Sequence, residues 1–238
     1  AAAAFAATPA GLAIKQSEFE MPSIFASAVA NPALRRALLV CCVVTVVQQC
    51  SGVSNVIFFS STIFERHGLD DDSCALIAVA MSTSNVVVAL ASAALMDTVG
   101  RRWLLLGSLG TMIIALVLLT LTLSLPLTSW VPVLLAICLS LFVGGFAAGL
   151  GTVPTLLPLE LFPAKSRSTG CAIVASLTYT TRFFVTQAFL GQASSLGHCA
   201  FLPHIAALVL GLLFCFCSMP ETRGKSLETI ERELMSGC

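Results

Sequence analysis

The chain has 238 residues, of which 57% are hydrophobic and only 10% are charged, and its mean hydropathy is +0.97. A soluble domain carries roughly 25% charged residues, so this composition predicts an integral membrane protein. The 12 basic residues balance the 12 acidic ones, which argues against nucleic acid as a partner. The sequence has no P-loop, nucleophile–base constellation or metal-ligand spacing, so we expect neither an enzyme nor a cofactor or metal site.

Six apolar segments follow a mixed lead-in over residues 1–36, and each is long enough to cross roughly 30 Å of hydrocarbon. They cover residues 37–64, 73–96, 103–124, 130–159, 169–193 and 200–219. A polar tail follows over residues 220–238. The pattern therefore predicts an all-α membrane protein with six transmembrane helices.

The distribution of Lys and Arg predicts the orientation, because basic residues collect on the cytoplasmic side. Six spans place both ends of the chain on one side. The basic residues on that side are Lys15, Arg35, Arg36, Arg101, Arg102, Lys165, Arg167, Arg223, Lys225 and Arg232. The opposite side has only Arg66, next to acidic residues at 70–72. We therefore expect both termini to be cytoplasmic.

A polar stretch, QQCSGVSN at residues 48–55, interrupts the first apolar segment. On an unbroken helix Thr45, Gln48, Gly52 and Asn55 would share one face. Their amide and hydroxyl groups both donate and accept hydrogen bonds, as a sugar hydroxyl requires. Polar side chains also join helices to each other in membranes. From this stretch alone, a ligand site and helix–helix contact both stay open.

Opposite charges also meet at the predicted cytoplasmic face. The loop after the second segment runs from Asp97 to Arg101 and Arg102, and the fourth segment ends near Glu160 and Arg167. Positive-inside anchoring explains the arginines but not the acidic residues. The pattern favours an ion-pair latch that forms in one conformational state and parts in another.

Five short motifs together resemble one family. They are QQCSGVSN followed by FFSSTIFE, then DTVGRR, PLELFPAKSR and PETRGKSLE. In order and spacing they resemble the sugar porter family, the glucose-transporter branch of the major facilitator superfamily. The resemblance covers residues 31–231 and corresponds to the C-terminal six-helix half of a twelve-helix transporter. It implies that the partners are the lipid bilayer, a small sugar and an N-terminal six-helix half.

The resemblance also implies where sugar would bind, near the membrane midplane between the two halves. Gln48, Gln49 and Asn85 match sugar-binding amides of the family. The family's usual Asn falls at Ser54, and here an Asn stands one place on, at Asn55.

At two further positions this sequence has a different residue from the aromatic or amide residue of the family. Thr155 stands where the family has the aromatic residue that stacks on the sugar, and Tyr179 lies at its Asn-Trp pair. The resemblance assigns a charge network that holds the outward-open state. That cytoplasmic gate comprises Asp97, Arg101, Arg102, Glu160 and Arg167.

Arg182 is unusual because it places a charge inside the fifth apolar segment. It lies roughly 22 Å deeper than Arg167 at 1.5 Å per residue, and Thr178 and Thr186 share its helical face. Three interpretations stay open. Arg182 pairs with a carboxylate or carbonyls of the other half, binds an anionic group of the substrate, or extends its side chain to the membrane surface.

Transport of a monosaccharide, a hexose, by alternating access is the function that these features favour. The alternatives are a sugar sensor without net transport, an organic-anion porter of the same family, and a non-transporting fragment. Coupling to protons stays open, because the coupling carboxylate of family members that have one lies in the other half.

Overall fold

The computed structural model describes residues 31–58, 71–126, 130–164, 166–221, 223–225 and 229. Every regular element in these residues is helical, which confirms the all-α prediction. The helices are α1 (Pro32–Cys50), α2 (Asp71–Val99), α3 (Arg101–Leu123), α4 (Val131–Gly145), α5 (Val153–Leu161), α6 (Arg167–Leu196) and α7 (Leu202–Ser218). Helix α1 begins before the predicted residue 37, because the Asn31 side chain accepts a hydrogen bond from the Ala33 amide at 3.0 Å and caps the helix. The lead-in over 1–30 and most of the tail lie outside the described residues.

Five described stretches are long and apolar enough to cross a membrane. They are Pro32–Phe58, Cys74–Met96, Arg101–Leu123, Val131–Leu161 and Cys199–Ser218. The remaining predicted segment, 169–193, lies within α6, which has 30 residues. Helix α6 is long enough to span but less apolar, because Arg182 and several hydroxyl and amide side chains interrupt it. The protein is thus a multi-pass integral membrane protein.

Two of the spans are broken in the middle. The first breaks after α1 at Ser51 and Gly52, where Gly52 has φ +78°, and the chain is helical again over 53–58. Because an L side chain rarely adopts such a φ, the break depends on glycine at this position. The prediction of one continuous face from Thr45 to Asn55 is therefore wrong, since it assumed an unbroken helix.

The fourth predicted segment breaks after α4. It continues as a π-helical turn over Phe146–Leu150 and turns at Gly151 and Thr152 before α5 begins. Pro154 lies in the first turn of α5, where the missing amide hydrogen costs nothing. The predicted span over 130–159 is therefore two helices that meet at an irregular turn.

Side chains of α2 and α3 hold this irregular turn. The Ser108 hydroxyl donates to the Gly145 carbonyl at 2.6 Å and accepts from the Leu150 amide at 2.9 Å. The Ser92 hydroxyl donates to the Ala148 carbonyl. Gly149 lies so close to α3 that a Cβ atom there would come within 2.6 Å of the Leu104 carbonyl oxygen. The turn is therefore satisfied by neighbouring helices, as backbone inside a membrane must be.

The buried core is centred on α3 and α4. Its largest fully buried side chains include Leu105, Leu109, Met112, Leu116, Leu135, Leu139 and Phe142. By contrast, only 11% of an apolar 18-residue stretch within Cys74–Met96 is buried, against 56% of the corresponding stretch within Val131–Leu161. Helices α2 and α6 therefore carry large apolar faces that the described residues leave uncovered.

Gly149→Ala should destabilise the protein by about 1–3 kcal/mol, because the added methyl group collides with backbone that cannot move aside. Gly110→Ala is the matched control, since a Cβ atom there meets nothing within 4 Å. Helix propensity predicts that this control is neutral or stabilising by up to about 1 kcal/mol. Thermal unfolding in detergent measures both, and an unchanged midpoint for Gly149→Ala would contradict the packing described.

Candidate functional site

Two glutamines at the end of α1 join the two broken spans. Gln48 Nε2 donates to the Leu150 carbonyl at 2.8 Å and lies 3.4 Å from the Gly151 carbonyl. Gln49 Nε2 donates to Gln48 Oε1 at 3.1 Å. Both glutamine side chains are buried. They therefore occupy the interior and satisfy carbonyls that the second break leaves without helical partners.

Arg182 extends this chain of hydrogen bonds. Its Nε donates to Gln49 Oε1 at 3.2 Å, so each member donates to the next from Arg182 to Leu150. We call Arg182, Gln49 and Gln48 the amide relay. None of the three interpretations of Arg182 from the sequence included this contact. Within the described residues no carboxylate pairs with Arg182, and its side chain is exposed.

His204 is a buried residue that the sequence analysis did not single out. Its Nδ1 lies 2.9 Å from the Cys50 carbonyl, and its Nε2 lies 3.4 Å from Asn55 Nδ2. Because a carbonyl only accepts, Nδ1 carries the hydrogen and Nε2 accepts from the Asn55 amide. The ring also packs on Gly52, where a Cβ atom would lie 2.8 Å from Cδ2. His204 thus fills the first helix break.

The other predicted substrate-binding residues lie apart from the relay. Asn55 is fully buried against His204, whereas Ser54 is half-buried. Asn85 lines a groove of about 290 Å³ with Ile57, Met81, Ser82, Val143 and others. Thr155 and Tyr179 are exposed, and the Thr155 hydroxyl donates to the Thr152 carbonyl at 2.7 Å. The structure therefore brings Gln48, Gln49 and Arg182 together and leaves these residues separate.

At one end of the bundle, two described residues of the predicted gate form an ion pair. Arg101 Nε lies 3.1 Å from Glu160 Oε1, and the two side chains are 18% and 26% exposed. The pair ties the start of α3 to the end of α5. Arg102 Nη2 donates instead to the Phe216 carbonyl at 2.6 Å, and Arg167 Nε donates to the Phe162 carbonyl at 3.4 Å.

Glu221 is a further member of this cluster. Its carboxylate accepts hydrogen bonds from the backbone amides of Arg101 at 3.1 Å and Arg102 at 3.3 Å. It therefore caps the first turn of α3, where a negative charge is stabilised. Glu221 belongs to the PETRGKSLE motif, but the sequence analysis assigned no role to this glutamate. The side chain of Asp97 lies outside the described part of the chain.

A membrane bundle with these two broken spans has the fold of one half of a major facilitator transporter. The match to the proton:xylose symporter XylE bound to 6-bromo-6-deoxy-D-glucose has a TM-score of 0.74 at 22% identity and covers 82% of this chain and 42% of that chain. An inward-open XylE structure from E. coli matches with a TM-score of 0.70 at 20% identity, over 82% of this chain and 41% of that chain.

The family model described as "Sugar (and other) transporter" matches residues 12–234, so the chain belongs to the sugar transporter family. A glucose transporter from Staphylococcus epidermidis is 33% identical over 86% of this chain and 46% of its own length. A facilitated trehalose transporter from Anopheles gambiae is 32% identical, over 86% and 26% respectively. The chain thus spans half or less of the length of these relatives. The resemblance inferred from the motifs is confirmed.

His204→Phe should lower the free energy of unfolding by about 1–3 kcal/mol, because it keeps a ring but leaves the Cys50 carbonyl and the Asn55 amide unpaired. His204→Gln retains a donor and an acceptor, so it separates the loss of hydrogen bonds from the loss of ring packing. We expect it to fall between wild type and His204→Phe in thermal unfolding. Equal midpoints for His204→Phe and wild type would show that the contacts contribute nothing.

Proposed function

We propose that this chain supplies the C-terminal half of a transporter that moves a hexose across the membrane by alternating access. The observation that carries the proposal is the amide relay, which joins the breaks of two spans through groups able to bind sugar hydroxyls. The names of the relatives, which include glucose and trehalose transporters, support a sugar as substrate. Both termini would then be cytoplasmic.

The relay gives sugar binding a route to the helix breaks. A hydroxyl that bonds to Gln49 competes with, or adds to, the bond between Gln49 and Gln48. Any shift of Gln48 changes the support of the Leu150 carbonyl, to which it donates at 2.8 Å. Irregular backbone in a membrane span moves more readily than a continuous helix, because fewer internal hydrogen bonds hold it.

Further sugar contacts in this proposal come from residues around the relay. They are Ser54, Asn55, Asn85, Thr155 and Tyr179. The exposed side chains of Thr155 and Tyr179 leave them free to meet a ligand held between this half and another. Asn55 would take part through a change in its bond to His204, since it is buried.

The cytoplasmic cluster would act as the latch of the transport cycle. The pair between Arg101 and Glu160 and the cap that Glu221 places on α3 hold three parts of the chain at one end of the bundle. In this proposal Asp97, Arg102 and Arg167 belong to the same gate. Opening toward the cytoplasm would separate these contacts.

Gln49→Leu should weaken sugar binding, because it leaves a ligand hydroxyl unpaired at a cost of about 1–3 kcal/mol, or about 5- to 150-fold in affinity. Gln187→Leu is the matched control, since Gln187 lies exposed on α6. Uptake of radiolabelled D-glucose into liposomes containing the complete transporter measures both variants. Absent uptake by the wild type refutes hexose transport, and unchanged affinity in a well-expressed Gln49→Leu removes this residue from the site.

Glu160→Arg should shift the transporter toward its cytoplasm-open state, because it sets two guanidinium groups against each other. Adding Arg101→Glu should reverse the shift by restoring an opposite pair. For a partly buried pair we expect roughly 1 kcal/mol, or about a fivefold change in population. The readout is labelling of an introduced Ser166→Cys by an impermeant maleimide from the cytoplasmic side. A labelling rate that neither variant alters would contradict the latch.

A further inference from the structure

The hydrogen bonds of the amide relay all run in one direction, and this leaves donors at its Arg182 end. A guanidinium only donates, and an amide both donates and accepts. The Nε–H of Arg182 is used on Gln49. Among the described residues, the terminal nitrogens Nη1 and Nη2 meet no acceptor. The open end of the relay is therefore rich in donors and suits a ligand group that only accepts hydrogen bonds.

The charge of Arg182 is also unmatched within the described residues. The other described Asp, Glu, Lys and Arg residues of the helices lie near helix ends, whereas Arg182 lies in the middle of α6. Within the described part of the chain, an ion pair joins Arg101 and Glu160 at one end of the bundle, away from Arg182. A cation at this depth is costly unless a negative group neutralises it.

The bond to Gln49 also determines which edge of the guanidinium is available. Because Nε is engaged, Gln49 orients the planar group so that Nη1 and Nη2 form the remaining fork. That fork matches the two oxygens of a carboxylate in a bidentate pair. The surrounding face of α6 is open, since Tyr179 and Phe183 on either side of Arg182 are 69% and 59% exposed.

We propose that this site recognises a sugar acid, a hexuronate, whose carboxylate is bound by Nη1 and Nη2 of Arg182 while Gln49 contacts a ring hydroxyl. The inference rests on the proposed sugar transport and names a substrate class for the same site. A monoanion balances the single positive charge of Arg182. A phosphate ester carries a charge of about −1.5 to −2, and no second cation stands beside Arg182 in the described residues.

The experiment compares two ligands that differ in charge and little in shape, D-glucuronate and the neutral amide D-glucuronamide. Purified complete transporter is tested for binding of radiolabelled D-glucuronate, displaced by either unlabelled compound. We expect glucuronate to bind about 10- to 150-fold more tightly than glucuronamide, as for hydrogen bonds to a charged group. Arg182→Gln should abolish this preference, whereas Arg182→Lys should keep part of it because charge remains without the fork. Gln187→Leu, the control on the same helix, should keep it in full.

Several outcomes would overturn the inference. In the wild type these are no binding of glucuronate, or equal displacement by the acid and the amide, and neither result depends on how any variant folds. Among the variants, the inference would be overturned if the Arg182→Gln protein lost abundance and bound both ligands equally poorly. That result is expected if Arg182 pairs with a protein carboxylate. Uptake of D-glucose, measured in parallel, tests the proposed transport separately. Glucose uptake without glucuronate binding would reject the sugar acid as a substrate and still support hexose transport.

Discussion

The requirement to pair every backbone polar group inside hydrocarbon governs this structure. Two spans are broken, and each break frees carbonyls and amides that lose their partners within the helix. Ser108 pairs with the Gly145 carbonyl and the Leu150 amide at the two ends of the π-helical turn before the second break, and His204 pairs with the Cys50 carbonyl at the first. Gln48 connects the two breaks, because it lies beside the first and donates a hydrogen bond to the Leu150 carbonyl at the second. These polar side chains are thus part of the helix architecture.

This double use of polar groups connects the fold with the proposed transport. Gln48 is needed to satisfy the Leu150 carbonyl, and Gln49 is needed to satisfy both Gln48 and Arg182. A ligand that binds these amides enters a network that already holds the breaks in place. Buried hydrogen-bond networks respond as units, since loss of one partner leaves another group unpaired. In the proposed function, ligand binding and the geometry of the breaks are therefore coupled by the same bonds.

The predicted cytoplasmic end of the bundle and the middle of α6 differ in how their charges are paired. At the predicted cytoplasmic end, Arg101 meets Glu160 and the carboxylate of Glu221 caps α3, so opposite charges are neutralised within the chain. In the middle of α6, Arg182 has only the amide oxygen of Gln49 as a partner among the described residues. A paired cluster can stabilise a conformation, whereas a cation without a counter-ion is costly in a membrane unless a negative group from outside the described bundle neutralises it. This contrast distinguishes the proposed gate from the proposed substrate site.

The sequence by itself determined the membrane class, the helical fold and the family, because composition, segment length and short motifs do not depend on which distant residues meet in space. It also singled out the polar residues of 48–55 and placed Arg101 and Glu160 at one face. Tertiary structure decided what those residues contact. The partner of Arg182 lies 133 positions away at Gln49, and His204 reaches Cys50 across 154 positions. No periodicity encodes such contacts, since they depend on how α1 packs against α6 and α7 and on a break at Gly52 that redirects the chain.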